Sequence, residues 1–155
     1  MPTKPKIKID DNSDLRLEID KLYELTEQIE LAKWAISCAR HILPLSQVER
    51  IEMTDVENGI RINKLWQIGK ATVSEVRQAG FKIHAIARNC ETEIARNAIR
   101  TVGQAVGVGH MKEHAMVCSD YAIKTVQLAY PNFKERITEE REWQLKTLKE
   151  IKACT

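Results

Sequence analysis

The stretch Ile29-Glu30-Leu31-Ala32-Lys33-Trp34-Ala35-Ile36-Ser37-Cys38-Ala39-Arg40-His41-Ile42-Leu43-Pro44 decides the fold class. Apolar residues fall at 29, 32, 36, 39 and 43, the three- and four-residue spacing that lines one face of an α-helix. Pro44 closes the run, because a proline has no N–H for the hydrogen-bond ladder and its ring clashes with the preceding turn. Upstream, Leu15, Ile19 and Leu22 carry the same period back to Ser13, a plausible N-cap. The spacing therefore predicts either one long helix or two joined near Thr26.

The rest of the chain reads the same way. A Ser or Thr followed three residues later by Glu marks a capping box, in which each side chain satisfies a free backbone N–H of the other. Ser46 with Glu49, Thr54 with Glu57 and Thr72 with Glu75 fit, and Asn132 with Glu135 is a variant. These signals predict helices over 47–52, 55–70, 73–89 and 133–152, with two more over 92–106 and 110–130. In the 55–70 helix, Val56, Ile60, Leu65, Trp66 and Ile68 point all around, which predicts burial on every side. The last helix carries the stripe Phe133, Ile137, Leu145, Leu148 and Ile151. Its alternating charges predict a solvated outer face. The expectation is an all-α, single-domain bundle of about six to seven helices. Residues 1–12 are a polar, flexible N-terminal lead-in and 13–155 the helical domain.

Composition narrows the function. The 155 residues carry 24 Lys and Arg against 22 Asp and Glu, a net charge of +2. That balance argues against a nucleic-acid partner, which demands a basic excess. Only six glycines and four prolines punctuate the chain, as expected of a few long helices. No apolar run reaches the 18 or so residues of a membrane span, and no hydrophobic core of a secretory signal follows the basic N-terminus. Cys38, Cys90, Cys118 and Cys154 are widely spaced without a CxxC pair, the pattern of free thiols in a reducing cytoplasm.

Chemistry-bearing residues are densest between 80 and 121. On a helix starting at His110, the side chains of His110, His114, Cys118 and Tyr121 share one half of the wheel at about 100° per residue. Two His at i,i+4 are spaced to bind one metal ion. Here, however, the run is His-Met-Lys-Glu-His, without the Glu position of a zinc-protease motif. A third ligand would come from His84 or Cys118. The alternative is that both rings satisfy hydrogen bonds across a helix interface. His84 and Arg88 lie one turn apart on a ridge suited to a carboxylate or phosphate, or to a rim salt bridge. Gly103, Gly107 and Gly109 crowd into seven residues. Each would cost a helix about 1 kcal/mol relative to Ala, so they predict close backbone packing, or a helix that breaks and restarts at His110. Trp143, off the stripe of the last helix, either packs on a neighbour or anchors a partner. No GxSxG, P-loop or paired-carboxylate pattern supports catalysis.

Six segments, in order, carry a family resemblance. They are Leu31 to Leu45; His84-Ala85-Ile86-Ala87-Arg88; Gly103-Gln104-Ala105-Val106; His110-Met111-Lys112-Glu113-His114-Ala115; Tyr121-Ala122-Ile123-Lys124; and Glu140-Arg141-Glu142-Trp143-Gln144-Leu145. Across about residues 25–145 the chain resembles the immunity protein five-like group of bacterial immunity proteins. It departs from that group at 47–60, which lacks a proline-rich link. The resemblance implies an all-helical protein that neutralises a partner toxin by occluding it, with no catalysis and no cofactor.

The leading expectation is thus a toxin-binding protein whose ligand- or partner-facing residues come from His84, Arg88, His110, His114, Tyr121 and Trp143. The alternative is a small metal- or ligand-binding helical protein, conceivably an enzyme, built on His84, His110 and His114. A homo-oligomer would follow from Trp34, Trp66 or Trp143 exposed at a symmetric contact.

Overall fold

Helix boundaries in the computed structural model, which describes residues 2–154, follow the local capping chemistry. Met1, at the head of the expected lead-in, and Thr155, at the end of the expected domain, lie outside the described residues. Helix α1 spans Ser13–Glu24 and α2 Gln28–Ile42; α3 spans Thr54–Gln67, α4 Val73–Arg88, α5 Glu93–Gly107, α6 His114–Ala129 and α7 Lys134–Ala153. Among the described residues there is no strand. The break near Thr26 is real, so α1 and α2 are separate helices. The cap of α1 is Asn12, one residue before Ser13, and its side chain accepts the Leu15 N–H.

Of the four expected capping boxes, one forms. Thr72 and Glu75 cap α4 reciprocally. Ser46 instead turns its hydroxyl back onto the Leu43 carbonyl inside a 3-10 turn, Leu43–Val48, that replaces the expected 47–52 helix. Pro44 is accommodated there because the first turn needs no N–H from it. Glu49, released from that role, reaches across to the backbone N–H groups of Glu91 and Thr92 at the start of α5. Thr54 lies inside α3, and Glu57 pairs with Arg40. No side chain caps α7. Helix α3 ends before residue 70 because Gly69 adopts φ +75°, a left-handed stop that lets the Lys70 N–H bond the Leu65 carbonyl. It is buried on one side only: Val56, Gly59, Ile60 and Asn63 are covered, while Ile68, just past its end, is exposed.

Helix α5 is the axis of the bundle and touches α2, α3, α4, α6 and the 3-10 turn. It fits there because its inner residues are small: Ala95, Ala98, Val102, Gly103, Ala105 and Val106 are all buried. Its last carbonyls are satisfied from outside. Asn63 donates to the Val106 carbonyl and Gln28 to that of Val108. Trp34 is fully buried on α2, and its indole N–H donates to the Gln144 carbonyl of α7 at 2.9 Å. It is therefore no oligomer anchor.

The charged pattern of α7 does not form a purely solvated face. Glu140, Arg141 and Gln144 point into the bundle. The Arg141 guanidinium, with no exposed surface, bonds both carboxylate oxygens of Asp11 at 2.8 and 2.9 Å and Asp120 at 2.7 Å. Arg16 makes two bonds of 2.9 Å to the same Asp120. Buried charges persist only when paired and hydrogen-bonded, and among the described residues no buried side-chain nitrogen or oxygen lacks a partner. This network also ties down the segment expected to fray. Asp11 holds Arg141, Thr3 bonds Asp20 and Arg16, and the Asp10 N–H bonds Gln127.

Candidate functional site

The three singled-out histidines meet on the α4–α5–α6 side. His84 comes from α4, His110 from the connection after α5, and His114 is the first residue of α6. The expected helix start at 110 is thus four residues early. Residues 108–113 link the helices through turns, with the N–H groups of His110 and Met111 bonding the Gly107 carbonyl. The rings of His110 and His114 lie edge to face with centroids 4.8 Å apart, and His114 Nδ1 is 2.6 Å from Gln104 Oε1.

The glycines explain how the rings fit. A Cβ on Gly103 would sit 2.6 Å from His84 Cε1, and one on Gly107 would sit 3.1 Å from His114 Cδ2. A Cβ on Gly109 would collide with Val76 at 2.6 Å. Close packing is therefore the reason for all three, and two of them are seats for imidazoles.

The environment disfavours protonation of these rings. Burial pushes His114 down to about 4, helped by His110, His84 and Lys6 and opposed by Glu113. Burial also lowers His84, with Arg100 and Arg88 adding to it, and lowers His110, with Arg77 adding to it. Among the described residues, no three His, Cys, Asp or Glu side chains are grouped to hold a metal ion. Cys118 faces the other way, its thiol donating to the Ala35 carbonyl of α2. Tyr121 is half-buried two turns along α6, and Arg88 is exposed at the end of α4.

A second histidine centre lies on the α2–α7 side. His41 stacks on Trp143 with ring centroids 3.7 Å apart and planes 4° from parallel. Its Nδ1 is 2.7 Å from Glu140 Oε2. Glu140 is buried, and that burial raises it above the usual carboxylate range against the opposing pull of His41 and Arg141. The stacked pair forms a ridge between two depressions. One, of about 540 Å³, is bordered by Lys33, Ile36, Arg40 and Lys64. The other, of about 360 Å³, is bordered by Leu45, Val126, Tyr130 and Arg136. Trp143 thus packs one face on a neighbour, as one of its two expected roles requires, and also lines open surface. His41 and Glu140 were not among the singled-out residues. Their signal was that both stand inside segments of the family resemblance, about 100 residues apart in the chain.

The model of the family described as Imm-5 like putative immunity protein matches residues 21–151. The chain belongs to that family. Neither a curated protein nor a solved structure matches it. No described helix is long and apolar enough to cross a membrane.

Proposed function

We propose that this chain binds a cognate bacterial toxin and neutralises it by occluding its working surface, with no catalysis of its own. The observation that carries the reading is the family match over 21–151. The architecture suits it: an inhibitor by occlusion requires a rigid surface of complementary shape and charge. Here the helices are locked by buried ion pairs, and a tryptophan stands on a preformed ridge. The same reading has the protein act in the bacterial cytoplasm, in keeping with four cysteines outside any disulfide. Calorimetry with the toxin candidate encoded beside its gene tests it. Nanomolar binding at one toxin per protomer, with protection of cells that express the toxin, is expected; absence of both overturns the reading.

The convergence of His84, His110 and His114 favours a second reading, in which this cluster, with Arg88 acting on His84, is a ligand- or partner-binding site. In that reading, folded His84→Ala and His114→Ala variants lose protection of toxin-expressing cells. Full protection by both variants excludes it.

A further inference from the structure

We infer that the toxin is engaged through the depression beside the His41–Trp143 stack, and that the toxin presents to it an acidic segment carrying an apolar side chain. This rests on the neutralisation reading and names the surface and the chemistry of the partner.

Four observations carry it. First, the depression of about 540 Å³ has Lys33, Arg40 and Lys64 on its border and no carboxylate among its lining residues. The concavity therefore presents two lysines beside an arginine that Glu57 already pairs. Second, Arg40 is held by a bidentate pair with Glu57 at 2.7 Å, which fixes its position while Lys33 and Lys64 add positive charge. Third, the aromatic wall is preorganised. Trp143 is clamped by the parallel His41 ring, and His41 by the buried Glu140 carboxyl, so little side-chain freedom is lost on binding. Fourth, Trp and Arg are the residue types that most often dominate interface energies, and here they lie on one concave surface with the apolar Ile36. An apolar side chain against Trp143 and Ile36, with carboxylates toward the two lysines, satisfies every group.

The experiment measures binding of the full-length chain to the catalytically disabled toxin candidate encoded beside its gene, at two salt concentrations. Four proteins are compared: the native chain, the double variant Lys33→Glu/Lys64→Glu, Trp143→Ala, and Arg77→Glu on the histidine face. Circular dichroism checks folding. Lys33 and Lys64 are exposed, so the double variant stays informative even if Trp143→Ala misfolds. The double variant is expected to lose roughly 100-fold and Trp143→Ala roughly tenfold, with Arg77→Glu within about threefold of native. Native-like binding by the double variant and by folded Trp143→Ala overturns the docking surface and leaves the neutralisation reading standing. No binding by the native chain overturns both. A native chain that takes up a short DNA duplex as tightly as the toxin overturns the assignment to a protein segment.

Discussion

The two histidine centres of this bundle are built on opposite electrostatics. On the α4–α5–α6 side, His84, His110 and His114 crowd together over glycines, with Arg77, Arg88, Arg100 and Lys6 as the cations that act on them. On the α2–α7 side, a single histidine is held by a buried carboxyl and covered by an indole. The first centre excludes a proton. At the second, burial shifts Glu140 toward its neutral form. A histidine in a helical bundle is therefore not one kind of site: what lies behind the ring decides what it does.

The largest expected effect tests whether the carboxyl-backed side depends on the ion network one residue away. Arg141→Met leaves Asp11 and Asp120 facing a buried apolar chain, although Arg16 still pairs Asp120. Removing one partner of a buried pair costs about 3–5 kcal/mol. Urea denaturation should show that loss. A variant within about 1 kcal/mol of native would mean the α2–α7 side does not lean on this network.

Next comes acid. His114 is pushed from its ordinary 6.5 to about 4, so between those values the unfolded chain binds a proton that the folded chain refuses. Stability from this group is present above 6.5 and lost as pH falls toward 4, by at most about 3 kcal/mol at 1.36 kcal/mol per unit. His84 and His110 act with the same sign. The difference in unfolding free energy between pH 7 and pH 4.5 should shrink in His114→Gln. An unchanged difference would break the contrast between the two centres.

Gly103→Ala should cost about 1–2 kcal/mol despite the better helix propensity of alanine, because the new Cβ meets the His84 ring at 2.6–2.9 Å. His84→Ala in the same chain should recover most of that loss. A double-mutant cycle without coupling would show that the glycine seats the α4 backbone and not the ring.

How much of this was legible in the sequence follows from range. Helix periodicity is local, so the all-helical class and most boundaries could be read from spacing. The Thr72–Glu75 box is equally local, and it formed. Two of the other three boxes failed because their glutamates found distant partners, Glu49 at α5 and Glu57 on Arg40. The charges of α7 looked solvated because a repeating Lys/Glu pattern carries no sign of which residues meet Asp11, 130 positions away. His84, His110 and His114 could be named from the sequence, and the crowding of glycines marked close packing, although not that two of them would seat imidazole rings. The convergence of the three was not legible, since it depends on the crossing of α4 over α5. His41 was missed for the same reason: nothing near it in the chain reveals the Glu140 and Trp143 that complete its site.

The smallest expected effect is the sharpest, because its sign is opposite to that of the histidine cluster. Burial raises Glu140, so over the window from the ordinary carboxylate value to its raised one the folded chain keeps a proton that the unfolded chain has lost. Stability from this group is therefore present at low pH and falls as pH rises through that window. Glu140→Gln keeps the shape and a polar contact to His41 but cannot ionise. Its stability should lie within about 1 kcal/mol of native at pH 7, the scale of one hydrogen bond. Relative to native it should lose ground as the pH is lowered, because the native carboxyl becomes a neutral hydrogen-bonding partner without the burial penalty of its charge. Urea titrations of both proteins from pH 7 to pH 4.5 measure this directly. A Glu140→Gln chain that gains on native with acidification would mean that the charged pair with His41 outweighs burial. The two histidine centres would then differ in their partners but not in the direction of their response to acid.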